Sequence, residues 1–138
     1  MKIRIKKITE NAVIPTYSKN GDAGMDLTIT SVEILDSDHV KYNFGIALEI
    51  PFGYLGLIFP RSSCYKQRQI MSNCVGVVDS GYRGEISAIM IGTSLQSYKI
   101  GDRCAQLIIM PFPKVTFKQV KDLKDSERGT GGYGSTGN

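Results

Sequence analysis

Residues 44–60, FGIALEIPFGYLGLIFP, decide the fold. Phe44 to Ile50 and Tyr54 to Phe59 are short apolar runs, and Pro51-Phe52-Gly53 between them is a turn signal. Runs this short, closed by Pro and Gly, suit strands buried in a sheet better than helices. The same rhythm continues outward. Ile3 and Ile5 alternate with Lys2, Arg4 and Lys6, a period of two that fits a strand with one wet face. Leu27 to Ile34, Gly76 to Val78, Glu85 to Ile91, Cys104 to Met110 and Val115 to Val120 supply further runs, with Asn20-Gly21 and Gly101-Asp102 as turns. Strands spaced by about 8–12 residues predict a sandwich or barrel. Only Cys64 to Asn73 has room for a helix, of about two turns. The expected fold class is all-β.

The chain of 138 residues suits one domain. With 41% hydrophobic and 22% charged residues it is expected to bury a core without staples. Lys and Arg number 17 against 13 Asp and Glu, a net charge of +4. That excess suits anionic small molecules and is too scattered for a protein that binds duplexes. His39 is the sole histidine, which excludes a His-rich zinc centre within one chain. Cys64, Cys74 and Cys104 have no CxxC spacing, so free thiols in a reducing compartment are expected. No apolar run reaches the length of a membrane span, and MKIRIKK lacks the apolar stretch of a secretory leader. The expected location is the cytoplasm, or the interior of a host cell if the chain is viral.

Five stretches carry the residues of chemical interest. Residues 128–138, RGTGGYGSTGN, hold five glycines in eleven residues. Successive glycine N–H groups can converge on an anion, Arg128, Ser135 and Thr136 add donors, and Tyr133 offers a flat face for a base. By itself the run reads first as a mobile C-terminus. Pro60-Arg61-Ser62-Ser63 follows an apolar strand; Arg61 can fork onto two phosphate oxygens, or simply be solvated. GVVDSGYRGE, residues 76–85, reads as a hairpin with Asp79 at a strand end, where it can face a water or cap the turn. In DAGMDL, residues 22–27, Asp22 and Asp26 are hard oxygen donors of the kind Mg²⁺ takes, or turn residues. Gln106 interrupts the apolar run of GDRCAQL, residues 101–107, and needs partners whether it is core or site.

Taken in order, DAGMDL, PRSS, GVVDSGYRGE, GDRCAQL and RGTGGYGSTG resemble the five motifs of the homotrimeric dUTP pyrophosphatases, the dUTPases. The resemblance runs from Asp22 to Gly137. It implies a jelly-roll-like β-sandwich or distorted barrel over residues 1–127, and a flexible Gly-rich lid arm over 128–138. It implies a homotrimer with sites shared between subunits, and Mg²⁺-dependent hydrolysis of dUTP to dUMP and pyrophosphate. That reaction limits uracil in DNA and supplies the precursor of thymidylate.

Residue by residue, Asp79 resembles the base that activates the water attacking the α-phosphorus, and Asp26 the carboxylate that meets Mg²⁺ through waters. Arg61, Ser62, Ser63 and Gln106 match the phosphate-binding positions. Asn73 and the backbone of Gly76, Val77 and Val78 match the uracil-reading positions, and Tyr82 the tyrosine under the deoxyribose. A ribose 2′-OH is expected to be refused there, provided the hairpin is stiff. Arg128 is expected at the γ-phosphate, Tyr133 over the uracil, and Gly134, Ser135 and Thr136 across the phosphates. The chain departs from the family at Tyr133, where Phe is usual, at Cys74-Val75, where Ser-Pro is frequent, and at Cys64-Tyr65. Two other readings compete: a dCTP deaminase, which shares the fold and an Arg-Ser-Ser run, and a nucleotide-sensing regulatory protein that binds a protein partner. Neither a membrane nor stable nucleic-acid binding is expected.

Overall fold

The structure, a computed structural model, describes residues 1–92 and 98–132. Among the described residues ten strands run in chain order: β1 (Arg4–Lys7), β2 (Met25–Thr28), β3 (Ser31–Ile34), β4 (His39–Asn43), β5 (Ile46–Glu49), β6 (Tyr54–Pro60), β7 (Gln69–Met71), β8 (Gly76–Val78), β9 (Ser87–Gly92) and β10 (Arg103–Pro111). One four-stranded sheet has the order β2-β10-β6-β8, a second the order β3-β4-β9-β7, and β1 pairs with β5. These pairings are all antiparallel. Leu27, Ile58, Val78 and Leu107 of the first sheet and Val40, Tyr42, Met71 and Met90 of the second are buried in one common core. This is the all-β sandwich expected. Among the described residues no helix is long and apolar enough to cross a membrane.

The 44–60 stretch forms β5, a turn and β6. Gly53 takes the left-handed φ of +83° that glycine adopts without strain. Gly56 lies mid-sheet, where an added Cβ would sit 3.1–3.2 Å from Ile50, Leu107 and Val78, so those side chains would have to give by a few tenths of an ångström.

Three expectations need correction. The run Leu27 to Ile34 is two strands, β2 and β3, broken at the buried Ile29 and Thr30, because the chain crosses there from one sheet to the other. The segment Cys64 to Asn73 is not a two-turn helix. A 3-10 helix covers Ser62–Gln67, Arg68 closes it with φ of 52°, and β7 follows. Val115 to Val120 has strand-like alternation but is not a strand. It runs exposed, with Phe117 97% accessible, because none of the described strands pairs with it.

Candidate active site

Three neighbouring strands build the first cavity, about 460 Å³ in volume. Asp26 on β2 stands opposite Gln106 on β10, and Gln106 stands opposite Phe59 on β6, two residues before Arg61. Register therefore delivers Asp26, Arg61, Ser62, Arg103 and Gln106 to the lining. Gln106 donates its amide to the Pro60 carbonyl at 3.3 Å. Gly24 leaves room for that side chain, since a Cβ at position 24 would strike the Gln106 amide oxygen.

The half-buried Asp26 carboxylate is gripped from both sides. Arg61 Nε lies 2.7 Å from one oxygen and Arg103 Nη1 3.1 Å from the other. Arg61 Nη1 also donates to the Arg103 carbonyl at 3.3 Å, tying the two arginines together. The cavity thus holds two guanidinium groups against Asp26 and the more exposed Asp22, a balance suited to a polyanion that brings its own counter-ion.

Arg103 escaped the sequence reading. In a regular strand, residues 103 and 106 point to opposite faces. The β2–β10 register shifts between Arg103 and Ala105, so Cys104 and Ala105 are both buried and Arg103 turns to the face of Gln106. Bulges of this kind re-aim side chains beside active sites. The buried Cys104 thiol has its pKa pushed up to about 12 by loss of solvent.

A second cavity, about 200 Å³, lies at the other edge of the same sheet. Asn73, Gly76, Val77, Val78, Asp79 and Tyr82 line it, with Glu85. β8 is an edge strand, so alternate backbone groups face away from β6. Asp79 follows β8 directly; its carbonyl accepts the Tyr82 N–H at 3.0 Å and closes the turn. Cys74, two residues before this strand, takes a left-handed φ of 58°, so the chain enters β8 through a tight turn.

The two cavities share no lining residue. Asp26 and β8 occupy opposite edges of one sheet, three strand spacings apart, a span of roughly 14 Å. In one chain, then, Asp79 is not brought to Asp26, Arg61 and Gln106. Ser63 lies in the 3-10 helix and lines neither cavity, and neither does Arg128, whose Nε donates to the Gly131 carbonyl at 3.2 Å. Tyr133, Gly134, Ser135 and Thr136 lie outside the described residues.

Among the described residues no three His, Cys, Asp or Glu side chains gather as a metal cage. The donors of the first cavity still fit Mg²⁺ in a limited way. Asp26 and Asp22 offer hard oxygens to an ion that keeps waters and takes its remaining ligands from phosphates.

A sequence-family model described as dUTPase matches residues 10–137. The chain is 41% identical over 141 residues to a deoxyuridine 5'-triphosphate nucleotidohydrolase of Crocosphaera subtropica, covering 99% of each. A protein of the same name from Nautilia profundicola is 40% identical, again over 99% of each. Among solved structures, the Staphylococcus bacteriophage 80alpha dUTPase with dUPNHPP superposes with a TM-score of 0.83 at 25% identity, over 99% of both chains. A mutant dUTPase from phage phi11 of S. aureus, described with a structural Mg(II) ion, shares the fold at a TM-score of 0.74 and 22% identity, over 88% of this chain and 98% of its own. With a family match over nearly its full length and relatives this similar, the chain belongs to the dUTPase family.

Proposed function

We propose that the protein hydrolyses dUTP to dUMP and pyrophosphate, and that it does so as a homotrimer whose active sites are shared between subunits. The observation that carries this reading is the division of the site. The polar groups suited to a triphosphate and those suited to a base and a water lie at opposite edges of one sheet, so a complete site needs a second copy. The lid arm over residues 128–138, attached to the 1–127 core, closes it, with Arg128 at the γ-phosphate, Tyr133 over the uracil, and Gly134, Ser135 and Thr136 across the phosphates.

Arg61, Arg103, Ser62 and Gln106 hold the phosphate chain of the bound nucleotide, and Ser63, beside Ser62 but outside the cavity lining of one chain, joins them in the assembled site. Asp26 would hold Mg²⁺ through water, and the ion would supply positive charge to offset that of the phosphates. Asp79 of a neighbouring subunit takes a proton from a water. That oxygen bonds to the α-phosphorus, and the bond from the α-phosphorus to the oxygen bridging the β-phosphate breaks. Asn73 and the free backbone edge of Gly76, Val77 and Val78 read uracil. Cytosine there would face a donor with a donor, and a buried unpaired polar group discriminates by ~10⁴. Tyr82 lies under the deoxyribose. The work is cytoplasmic and keeps uracil out of DNA while supplying dUMP.

The purified chain with Mg²⁺ is expected to release pyrophosphate from dUTP; ammonia from dCTP in its place would overturn the reaction. Light scattering is expected to give the mass of three chains. Asp79→Asn and Arg61→Ala subunits, each strongly impaired, are expected to recover activity when refolded together, since some sites then receive both intact residues. A mixture as inactive as its parts would overturn the shared site.

A further inference from the structure

Refusal of a ribose by Tyr82 requires a hairpin that does not yield, and the hairpin is exposed at its tip: Asp79, Gly81, Tyr82 and Arg83 all face solvent. Two side chains given no role toward substrate above restrain it. Arg83 folds back so that Nη1 donates to the Ser80 carbonyl at 2.7 Å and to the Tyr82 carbonyl at 2.8 Å. These are charge-assisted bonds, stronger than neutral ones, and they fasten the backbone on both sides of Gly81. Glu85 works from the other end. Its carboxylate accepts the Gly45 N–H at 2.8 Å, across 40 residues of sequence, while its own carbonyl accepts the Tyr82 hydroxyl at 3.2 Å.

The anchor at Gly45 is firm. Gly45 is buried between β4 and β5 with φ of +65°, and an added Cβ would strike Thr9 and crowd Thr30 and Ala12. A Cβ at Gly84 would likewise strike the Tyr82 ring, so the ring lies directly over that backbone. Tyr82 is therefore fixed at its carbonyl by Arg83, at its hydroxyl by the Glu85 backbone, and beneath by Gly84. The Glu85–Gly45 bond ties this arrangement to the core, beside the backbone bonds of Ile86 with Ile46 and Phe44.

We infer that Arg83 and Glu85 are positioning residues for substrate specificity: they hold the Tyr82 hairpin stiff enough to separate deoxyribonucleotides from ribonucleotides. This rests on the proposed function, in which Tyr82 meets the sugar. Arg83 does not line that cavity, and the Glu85 carboxylate, which does, is taken up by the Gly45 N–H. Loss of either lets the tip move aside for a 2′-OH, so the rate on UTP rises relative to that on dUTP.

The test measures kcat/KM for dUTP and UTP on the full chain with Mg²⁺, in wild type, Arg83→Ala, Arg83→Lys, Glu85→Ala and Glu85→Gln. The ratio of the two values is expected to fall by about tenfold or more in both Ala variants, the scale of a pocket that no longer excludes one group. The Arg83→Lys and Glu85→Gln variants, whose side chains can still bond, are expected to keep most of it. Glu85→Gln also carries the test if Glu85→Ala is poorly folded by thermal melting: its ratio should lie between wild type and Arg83→Ala. Amide hydrogen exchange at residues 80–84 is expected to quicken in the Ala variants, a readout independent of any substrate. An unchanged ratio in folded Arg83→Ala would overturn the inference, as would unchanged exchange. A wild-type protein that ignores dUTP but shows the faster exchange in its variants would sink the proposed function and leave the clamp standing.

Discussion

The two cavities are built by different means. The side proposed for the phosphates stands on β2, β10 and β6, three paired strands whose register fixes Asp26, Gln106 and the end of β6. Its charges are also paired with one another, Asp26 with Arg61 and Arg103. The side proposed for the base stands on β8, three residues at the sheet edge, and on a turn held by a few hydrogen bonds. A sheet holds charged groups at set spacings against a ligand that would otherwise pull them about. An edge strand leaves backbone groups free to be read by a base, and the loop beyond it must then be restrained by other residues.

That contrast is most easily broken at Asp79, the one candidate base, which belongs to the weaker scaffold. Asp79→Asn is expected to lower kcat for dUTP by about 10³-fold, within the range for loss of a general base, while nucleotide binding measured by calorimetry persists. Turnover within about tenfold of wild type would remove the proton-transfer role. On the phosphate side the expected loss is smaller. Arg61→Ala is expected to cost about 10²-fold in kcat/KM, because one charged donor to the phosphates is lost and Asp26 keeps a single partner. If Arg103→Ala costs as much as Arg61→Ala, the two guanidinium groups act as a pair; if it costs nothing, the β10 bulge has no part in the site.

The bulge also explains where sequence reading stops. β6 and β10 are legible because their apolar runs are closed by Pro and Gly, and Gln106 stands out as a polar residue among apolar ones. The side chains on the lining of each cavity follow from strand ends and turns, which the five motifs mark. Arg103 is hidden because a single extra residue in the ladder reverses the face it points to, and no local signal announces that residue. β4 (HVKYN) is hidden for a different reason. Its buried Val40, Tyr42 and Asn43 include a polar residue, so the alternation is blurred, and Val40 and Tyr42 are buried by the common core that both sheets share. Val115 to Val120 errs the opposite way: pattern alone predicts a strand, but a strand exists only where a neighbour accepts its hydrogen bonds.

A smaller effect is expected where the phosphate side meets its support. Gly24→Ala places a methyl group against the Gln106 amide, which must then leave the Pro60 carbonyl. A loss of about 1–3 kcal/mol in stability is expected, typical of overpacking, and urea unfolding would measure it. KM for dUTP should rise with it, because the displaced amide faces the phosphate cavity. An equal loss of stability with KM unchanged would mean that Gln106 supports β6 and does not serve the ligand.

The smallest effect concerns the core behind that cavity. Tyr98 is buried edge-on against Tyr42, with ring centroids 5.7 Å apart, and its hydroxyl has no hydrogen-bond partner among the described residues. Burial pushes its pKa to about 12, as it does that of Cys104. Both folded values lie above those of the unfolded chain, so the folded state holds its protons longer. The associated stability is intact below pH 9, and drains away as the pH climbs from the ordinary thiol value of 9.0 and phenol value of 10.0 toward 12. Tyr98→Phe removes one of the two groups and an unpaired buried hydroxyl together. At neutral pH it is expected to be neutral or stabilising by up to about 1 kcal/mol, since no bond is lost. Above about pH 9 its melting temperature is expected to fall less steeply than that of wild type, with kcat at neutral pH unchanged. A destabilised Tyr98→Phe at neutral pH would mean the hydroxyl has a partner, a buried water among the candidates. The phosphate side would then be backed by a polar network rather than by apolar packing.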